Sequence, residues 1–419
     1  MHQPSRACGI DFGTSNSTVG WLRPGERVLL DLEQDKPTLP SAVFFNADED
    51  TTSYGRAALA EYLDGFEGRL MRSLKSLLGS SLIDGYTEVH GRALGFRDLL
   101  ASFIGELKQR AEQGAGRRFE HAVFGRPVRF VDEDADADRR AQDTLEAIAR
   151  QVGFQEISFQ FEPIGAALHY ERLLTNEELV LVADIGGGTA DFSIIRLSPE
   201  RARRDDRQDD LLGNAGIHIG GTDFDRALSL EAVMPLLGYR SKMRNGAEVP
   251  SSVFFQLATW HTINFAYSRQ AWADLQHIYR DALARRELDR LCRLVGQREG
   301  HWLALQVEQA KIDLSAASST QLALERLEPG LAHTLTGDAF VAATEALVER
   351  VGACVATLLA DSGLQRDQID TLYFTGGASG VPQLRSRIAA EVPNARRVEG
   401  DLYGSIGAGL AVEAARRYG

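Results

Sequence analysis

Apolar runs broken by glycine turns occur twice along the chain in the same form. Residues 7–21 read as strand, tight turn and strand, with GIDFGTSNSTVG at residues 9–20. The form returns at residues 179–197, where VADIGGGTADFSII fills residues 182–195. Each copy has an apolar strand, an Asp, a glycine-rich turn and a β-rich exit, so the pattern predicts an internal duplication and two lobes of like topology. Between the copies, Leu145, Ile148, Ala149 and Val152 share one helical face of residues 140–152, after an acidic stretch at 132–138 suited to a loop and helix start. A crossover helix is expected there. Phe340, Ala343, Leu347, Val351, Cys354 and Leu358 keep a spacing of three and four, which predicts a long helix. An apolar strand at residues 371–375 and the turn GGASG at 376–380 follow it, and a closing helix places Ile406, Leu410 and Ala414 on one face. The charged run at 201–210 has no apolar period and reads as a solvated hairpin tip.

The chain has 419 residues, more than the roughly 250–300 at which single cores stop growing, so two lobes are expected. With 44% hydrophobic and 25% charged residues it can bury sizeable cores. A formal charge of −13 argues against nucleic-acid and acidic-membrane partners. Any phosphate site must therefore rest on local backbone dipoles. Cys8, Cys292 and Cys354 are far apart and form no CxxC pattern, which fits a reduced compartment. No apolar run approaches the ~20 residues of a membrane span. Residues 1–8 lead directly from a polar start into the first strand, with no signal peptide. A cytoplasmic monomer is the expectation.

Glycine turns after strands suit phosphate because successive backbone N–H groups can point into one concavity that no Cβ obstructs. Either turn alone is compatible with an ordinary tight turn. A pair from duplicated lobes can grip a polyphosphate from opposite sides, and Gly376-Gly377 supplies a third. Asp11 and Asp184 stand at strand ends, where they either cap turns or hold the hydration shell of Mg²⁺. In residues 303–315, Leu303, Val307, Ala310 and Leu314 look inward while Glu308, Lys311 and Ser315 share another face. That polar stripe is either a ribose contact or a plain surface Glu/Lys pair.

The ordered series GIDFGTSNS, LKSLLG, FEPIGAAL, ADIGGGTADFS, HIGGTDFD, EQAKIDLS, TGGASGVP and GDLYGSIGAGLA resembles the DnaK-type heat-shock 70 chaperone family over nearly the whole chain. The resemblance implies an α/β fold of the actin-like ATPase (ribonuclease H-like, duplicated) type, two lobes with a central nucleotide cleft. By that likeness Gly13, Thr14, Ser15 and Asn16 match the first phosphate loop, and Gly186, Gly187, Gly188 and Thr189 the second. Lys75 matches the lysine that reaches the γ-phosphate and the attacking water, and Glu162 the water-positioning glutamate. Asp11 and Asp184 would hold the Mg²⁺ waters, with Thr189 and Asp191 near the γ-phosphate and a monovalent cation such as K⁺. Gly221, Glu308, Lys311, Ser315, Gly376, Gly377, Ala378 and Asp401 match positions around the nucleoside and phosphates of ATP or ADP.

Departures from the family pattern are equally plain. Ile312 and Gly380 stand where the family has arginines on the two faces of adenine, and Thr222 stands where an acidic residue is expected. Residues 223–308 exceed the family norm by roughly fifty residues. This insertion holds Trp260, Trp272 and Trp302 with Phe254, Phe255, Phe265, Tyr267 and Tyr279. It reads either as extra helices with their own core or as an aromatic docking surface for a protein partner or client. A linker, β-sandwich substrate domain and helical lid have no counterpart here, which likens the chain to the compact YegD-like stand-alone branch. Lobe I is expected at residues 1–175 and 398–419, with a subdomain at 38–115; lobe II at 176–397, with a subdomain at 222–335. The chain would cross between lobes near Leu174 and return near Val398. The implied activity is slow hydrolysis of Mg-ATP coupled to lobe closure. The alternatives are a nucleotide-gated binding module and a sugar-type kinase with Asp184 as base.

Overall fold

Each glycine-turn hairpin becomes the centre of a five-stranded sheet. The first sheet runs, edge to edge, Thr38–Pro40, Asn16–Gly20, Ala7–Phe12, His121–Arg126 and Glu156–Phe161. The second runs Leu211–Ile217, Ala190–Leu197, Glu178–Ile185, Thr371–Thr375 and Arg396–Glu399. In both, the hairpin arms pair antiparallel and the second arm takes another antiparallel strand. The first arm takes two successive parallel strands on its other side. The duplication expected from the turns is therefore a duplication of topology. The computed structural model describes residues 6–25, 27–132, 134–204 and 208–419, and divides into two units, Met1–Gly221 with Arg350–Gly419, and Thr222–Glu349.

Both sheets and the helices between them belong to the first unit. Ala7–Phe12 is buried along its whole length, as a strand with parallel neighbours and both faces covered should be. Ala7 and Val123 of the first sheet share one core with Val180, Val182, Ile195, Leu197 and Tyr373 of the second. The helices Glu162–Glu171 and Ser405–Tyr418 fill the space between, through Ala166, Ala167 and Tyr170 and through the expected face of Ile406, Leu410 and Ala414. The two helices meet backbone to backbone: a Cβ on Gly409 would lie 1.7 Å from the Gly165 carbonyl oxygen. A Cβ on Gly9 would likewise lie 2.3 Å from the Ala411 nitrogen. Glycine is required at these positions for close approach.

The crossover helix is Ala135–Gln151, with Asp134 Oδ1 accepting from the Ala137 amide at 2.8 Å, and Leu145, Ile148 and Ala149 buried. Val152, just past its end, is half-buried. The long helix is Gly337–Asp361, but its buried row is Phe340, Thr344, Val348, Val351, Val355 and Leu358. Ala343, Leu347 and Cys354 lie at the margin, one position short of that row, because both rows average 3.6 residues per turn and differ only in where the three-residue steps fall. The reading of residues 201–210 as solvated holds for Ala202, Arg203, Arg204 and Asp209, which are exposed, and needs correction at its end. Asp210 is buried and paired with Arg201, whose Nε also donates to Glu177 at 2.9 Å, so burial is paid for by pairing. Residues 205–207 of that run, residues 1–5 of the N-terminal stretch and Glu133 of the acidic stretch lie outside the described residues.

The second unit is mainly helical. Its helices Ser252–Leu257, Arg269–Asp281, Arg285–Gly296 and Gly300–Leu314 accompany a 3₁₀ segment, Trp260–Tyr267, and a hairpin of Ser319–Ala323 with Ala332–Thr336. Phe254, Trp260 and Trp302 are buried with Ile263, Leu275, Leu291 and Leu294, so the insertion has a core of its own, while Phe265, Tyr267 and Tyr279 are half-buried. Tyr267 is tied in by its hydroxyl, which accepts from the Gly300 amide at 2.8 Å. Phe255 and Trp272 are exposed. Among the described residues, no helix is long and apolar enough to cross a membrane.

Gly409→Ala should force the two helices apart and lower stability by about 1–3 kcal/mol, read from the denaturant midpoint. Gly380→Ala, where a Cβ meets nothing within 4 Å, is the matched control and should stay within about 0.5 kcal/mol of the parent.

Candidate functional site

Five strands, three of which lead into the expected glycine turns, bring their C-terminal ends to one region, where open α/β sheets place ligands. Ala7–Phe12 runs into Gly13, His121–Arg126 into Pro127 and Glu156–Phe161 into Glu162. Glu178–Ile185 runs into Gly186 and Thr371–Thr375 into Gly376. The first two glycine turns touch. A Cβ on Gly187 would lie 2.5 Å from Ser15 Oγ, and one on Gly188 would lie 2.9 Å from Thr14 Oγ1. The main chain of both is pinned from outside. Ser41 Oγ donates to the Gly13 carbonyl at 2.7 Å and the Ser41 amide to the Ser15 carbonyl at 2.9 Å. The Gly186 amide donates to the Thr189 carbonyl, and the Gly221 amide to the Gly186 carbonyl, each at 2.9 Å.

A cleft opens beside this junction, lined by the expected Thr14, Lys75, Gly188 and Thr189. Ser76, Gly79, Pro127, Phe130 and His218 complete its wall. Lys75 rides on the 3₁₀ turn Leu74–Leu77, anchored by buried Leu74 and Leu77 and entered through Ser73 at φ +57°. Its ammonium donates to Glu162 Oε1. Glu162 opens its helix with Pro163 behind it, so the carboxylate sits at the positive end of the helix dipole.

Three further carboxylates share this buried space. Asp184 and Asp191 are directly opposite each other across antiparallel strands, an arrangement of like charges that a sheet ordinarily avoids. Asp191 Oδ1 accepts from the Val128 amide at 2.6 Å. Asp184 Oδ1 is buried without a hydrogen-bond partner among the described residues. Burial, and then the Glu162 charge, raise Asp11 to about 7 against the pull of Lys75. The same two causes raise Asp191 to about 7, opposed by the Thr189 hydroxyl, the Val128 amide and Lys75. Asp184 is pushed well above the carboxylate range by burial first, then by Glu162, Asp191 and Asp11. Burial alone would lower Lys75, but Glu162 and Asp11 outweigh it and the net direction is up.

The Hsp70 protein family model matches residues 84–234 and 295–415, well over half of the chain. The chain belongs to the Hsp70 family. As an Hsp70-type protein it has the actin-like ATPase fold and is an ATP-binding member of a chaperone family whose proteins are generally ATPases using Mg²⁺ with ATP or ADP. Residues 235–294 fall outside the match, within the stretch expected to be inserted.

The remaining Hsp70-like positions divide between the two units. Asn16 starts the second strand, its carbonyl oxygen 2.1 Å from where a Gly13 Cβ would be. Gly376, Gly377 and Ala378 form the third turn, with Gly376 at φ +79° and a Cβ there only 2.6 Å from Asp184 Oδ1. Asp401 Oδ1 accepts from the Tyr403 amide at 3.1 Å. Glu308, Lys311 and Ser315 lie in the second unit, on or at the end of Gly300–Leu314. There the surface-pair alternative is corrected: Lys311 is buried and paired with buried Asp225 at 2.7 Å. Burial raises the Asp225 carboxyl and Lys311 pulls it back. Ile312, the next residue, is exposed.

Sequence reasoning missed Arg126. Its guanidinium lies over the Phe130 and Phe161 rings at 5.1 and 5.4 Å, pairs with Asp138 at 2.8 Å and donates to the Pro127 carbonyl at 2.9 Å. Asp138 Oδ1 in turn accepts from the Phe130 amide at 2.6 Å. Arg126 thus clamps the cleft wall that delivers the Val128 amide to Asp191. His218 was also missed, although it opens the HIGGTDFD match. Its amide donates to Asp132 Oδ2 at 2.9 Å.

The raised carboxyls fix the sign of a pH effect. Between the unfolded carboxyl value of about 4 and about 7, the folded state holds more protons than the unfolded one. The stability this gives is complete below the unfolded value and is lost as pH rises through about 7, the value for Asp11 and Asp191. Nucleotide-free and metal-free protein should therefore melt higher at about pH 5.5 than at about pH 8, and Asp191→Asn should narrow the gap. Calorimetric scans across that range check both, and an unchanged gap in the variant would exclude Asp191 as a source.

Proposed function

We propose that the cleft binds Mg-ATP and hydrolyses it slowly by in-line attack of water, with nucleotide state coupled to closure of two lobes, residues 1–175 with 398–419 and residues 176–397. The observation that carries this reading is the contact of the two glycine turns beside the buried Lys75–Glu162 pair. Backbone amides of residues 13–16 and 186–189 would cradle the phosphates, and Lys75 would reach the γ-phosphate and the water. Glu162, Asp184 and Thr189 would orient that water, with Glu162 Oε1 already fixed by the Lys75 ammonium. Asp184 Oδ1, orphaned and beside other acidic oxygens, fits a hard cation, with Asp11 and Asp184 acting on its water shell and Asp191 beside a monovalent ion such as K⁺. When bound, Mg²⁺ supplies charge neutralisation on the phosphate oxygens.

On the nucleoside side we assign Gly221, Gly376, Gly377, Ala378 and Asp401, with Glu308, Ser315 and the Asp225-held Lys311 from the subdomain at residues 222–335. A second subdomain at 38–115 belongs to lobe I in this reading. Cytoplasmic location and a monomeric state go with it. In purified protein, Lys75→Ala and Asp184→Asn should abolish turnover while ATP binding stays measurable. Unchanged phosphate release in either variant would defeat the assignment.

A second reading draws on exposed Phe255 and Trp272 in the unmatched stretch and on Ile312 and Gly380 in place of arginines. ATP would then only set the lobe angle while the inserted segment holds a protein partner. Under this reading, capture of a partner from lysate should change on adding ATP and should survive Asp184→Asn, and capture indifferent to ATP would remove it.

A further inference from the structure

The third glycine turn has an aromatic ring laid along it. At one end of the turn Gly376 abuts the carboxylate cluster, where a Cβ would lie 2.6 Å from Asp184 Oδ1. The next residue, Gly377, faces Tyr403, and a Cβ there would lie 2.9 Å from Cε1 and 3.4 Å from Cζ of the ring. Only one residue therefore separates the acidic cluster from the ring's neighbour. Tyr403 is held through its main chain, because its amide donates to Asp401 Oδ1 at 3.1 Å and Ser405 Oγ closes on the Asp401 carbonyl at 2.8 Å. Tyr403 as a whole nonetheless remains 48% exposed. On the far side of the turn the surface is open, since a Cβ on Gly380 meets nothing within 4 Å.

We propose that Tyr403 is the platform on which the nucleobase stacks. The inference rests on the reading that the cleft holds the phosphates of ATP. With the phosphates at Thr14, Lys75, Gly188 and Thr189, the nucleoside must leave along a surface that starts at the carboxylates. The Gly376–Gly377 turn starts there and leads to Tyr403, which packs its ring on Gly377, is tied to Asp401 through its main chain and remains partly exposed. Gly380 offers no side chain that could take the same place. Ring stacking works on any base because every base has a π-face, so Tyr403 contributes affinity and little choice between purines.

Titration calorimetry on the full chain with Mg²⁺ tests this, using ATP and inorganic tripolyphosphate as paired probes. The second has the phosphates but no base. Tyr403→Ala should weaken ATP about tenfold and leave tripolyphosphate unchanged, while Tyr403→Phe keeps the parent affinity for both. Tyr403→Leu keeps bulk without a π-face and should behave as the alanine variant does, which covers the case in which alanine disturbs the turn. Unaltered ATP binding in the alanine and leucine variants, or a parallel loss of both probes, would overturn the platform. Parent protein that binds neither probe would instead overturn the ATP reading on which it stands.

Discussion

Four carboxylates and one ammonium occupy a single buried space at the strand ends, and the rest of the site is arranged around that imbalance. Lys75 can neutralise one partner, and it is committed to Glu162. Asp11, Asp184 and Asp191 are left to hold protons or to face a cation, and Asp184 has an oxygen with no donor among the described residues. Crowding of like charge in low dielectric is costly, and such clusters concentrate at functional sites. Under the proposed function, a hydrated divalent ion and the amides of two glycine turns would relieve that crowding when a triphosphate binds, each component being weak without the others.

The duplicated topology makes the convergence possible. Because both sheets have the same order, their hairpin turns and parallel strands empty at equivalent ends, and the intervening helices set the separation. That separation is short because glycines let the helices touch backbone to backbone, as at Gly165 and Gly409. Leucine at either position would push apart the two turns that meet at Thr14 and Gly188. Stability and function are here the same geometric requirement, met by residues far from the chemistry.

Much of the site was legible in the chain because its devices are local. A strand followed by Asp and glycines, a Glu before Pro at a helix start and the stripe of Ile406, Leu410 and Ala414 are each written within about a dozen residues. Arg126 was not legible, since its meaning lies in two rings and a helix carboxylate brought together by folding. Asp210 looked solvated for the same reason: charge alone cannot announce a buried partner. The one-residue offset of the buried row in Gly337–Asp361 shows a further limit, because a periodic pattern fixes a face only to within a residue.

By itself, the sequence determined the repeated hairpin with its glycine turns, the crossover, long and closing helices and the resemblance to the Hsp70 family, because glycine and apolar period act on the nearest neighbours in the chain. Tertiary structure alone decided that Gly187 meets Ser15, that Lys75 pairs with a carboxylate 87 residues away, and that Lys311 belongs to Asp225. Those outcomes depend on which buried charges come to share one desolvated space. Only long-range packing sets that, since electrostatic pairing is strong where water has been excluded and weak everywhere else.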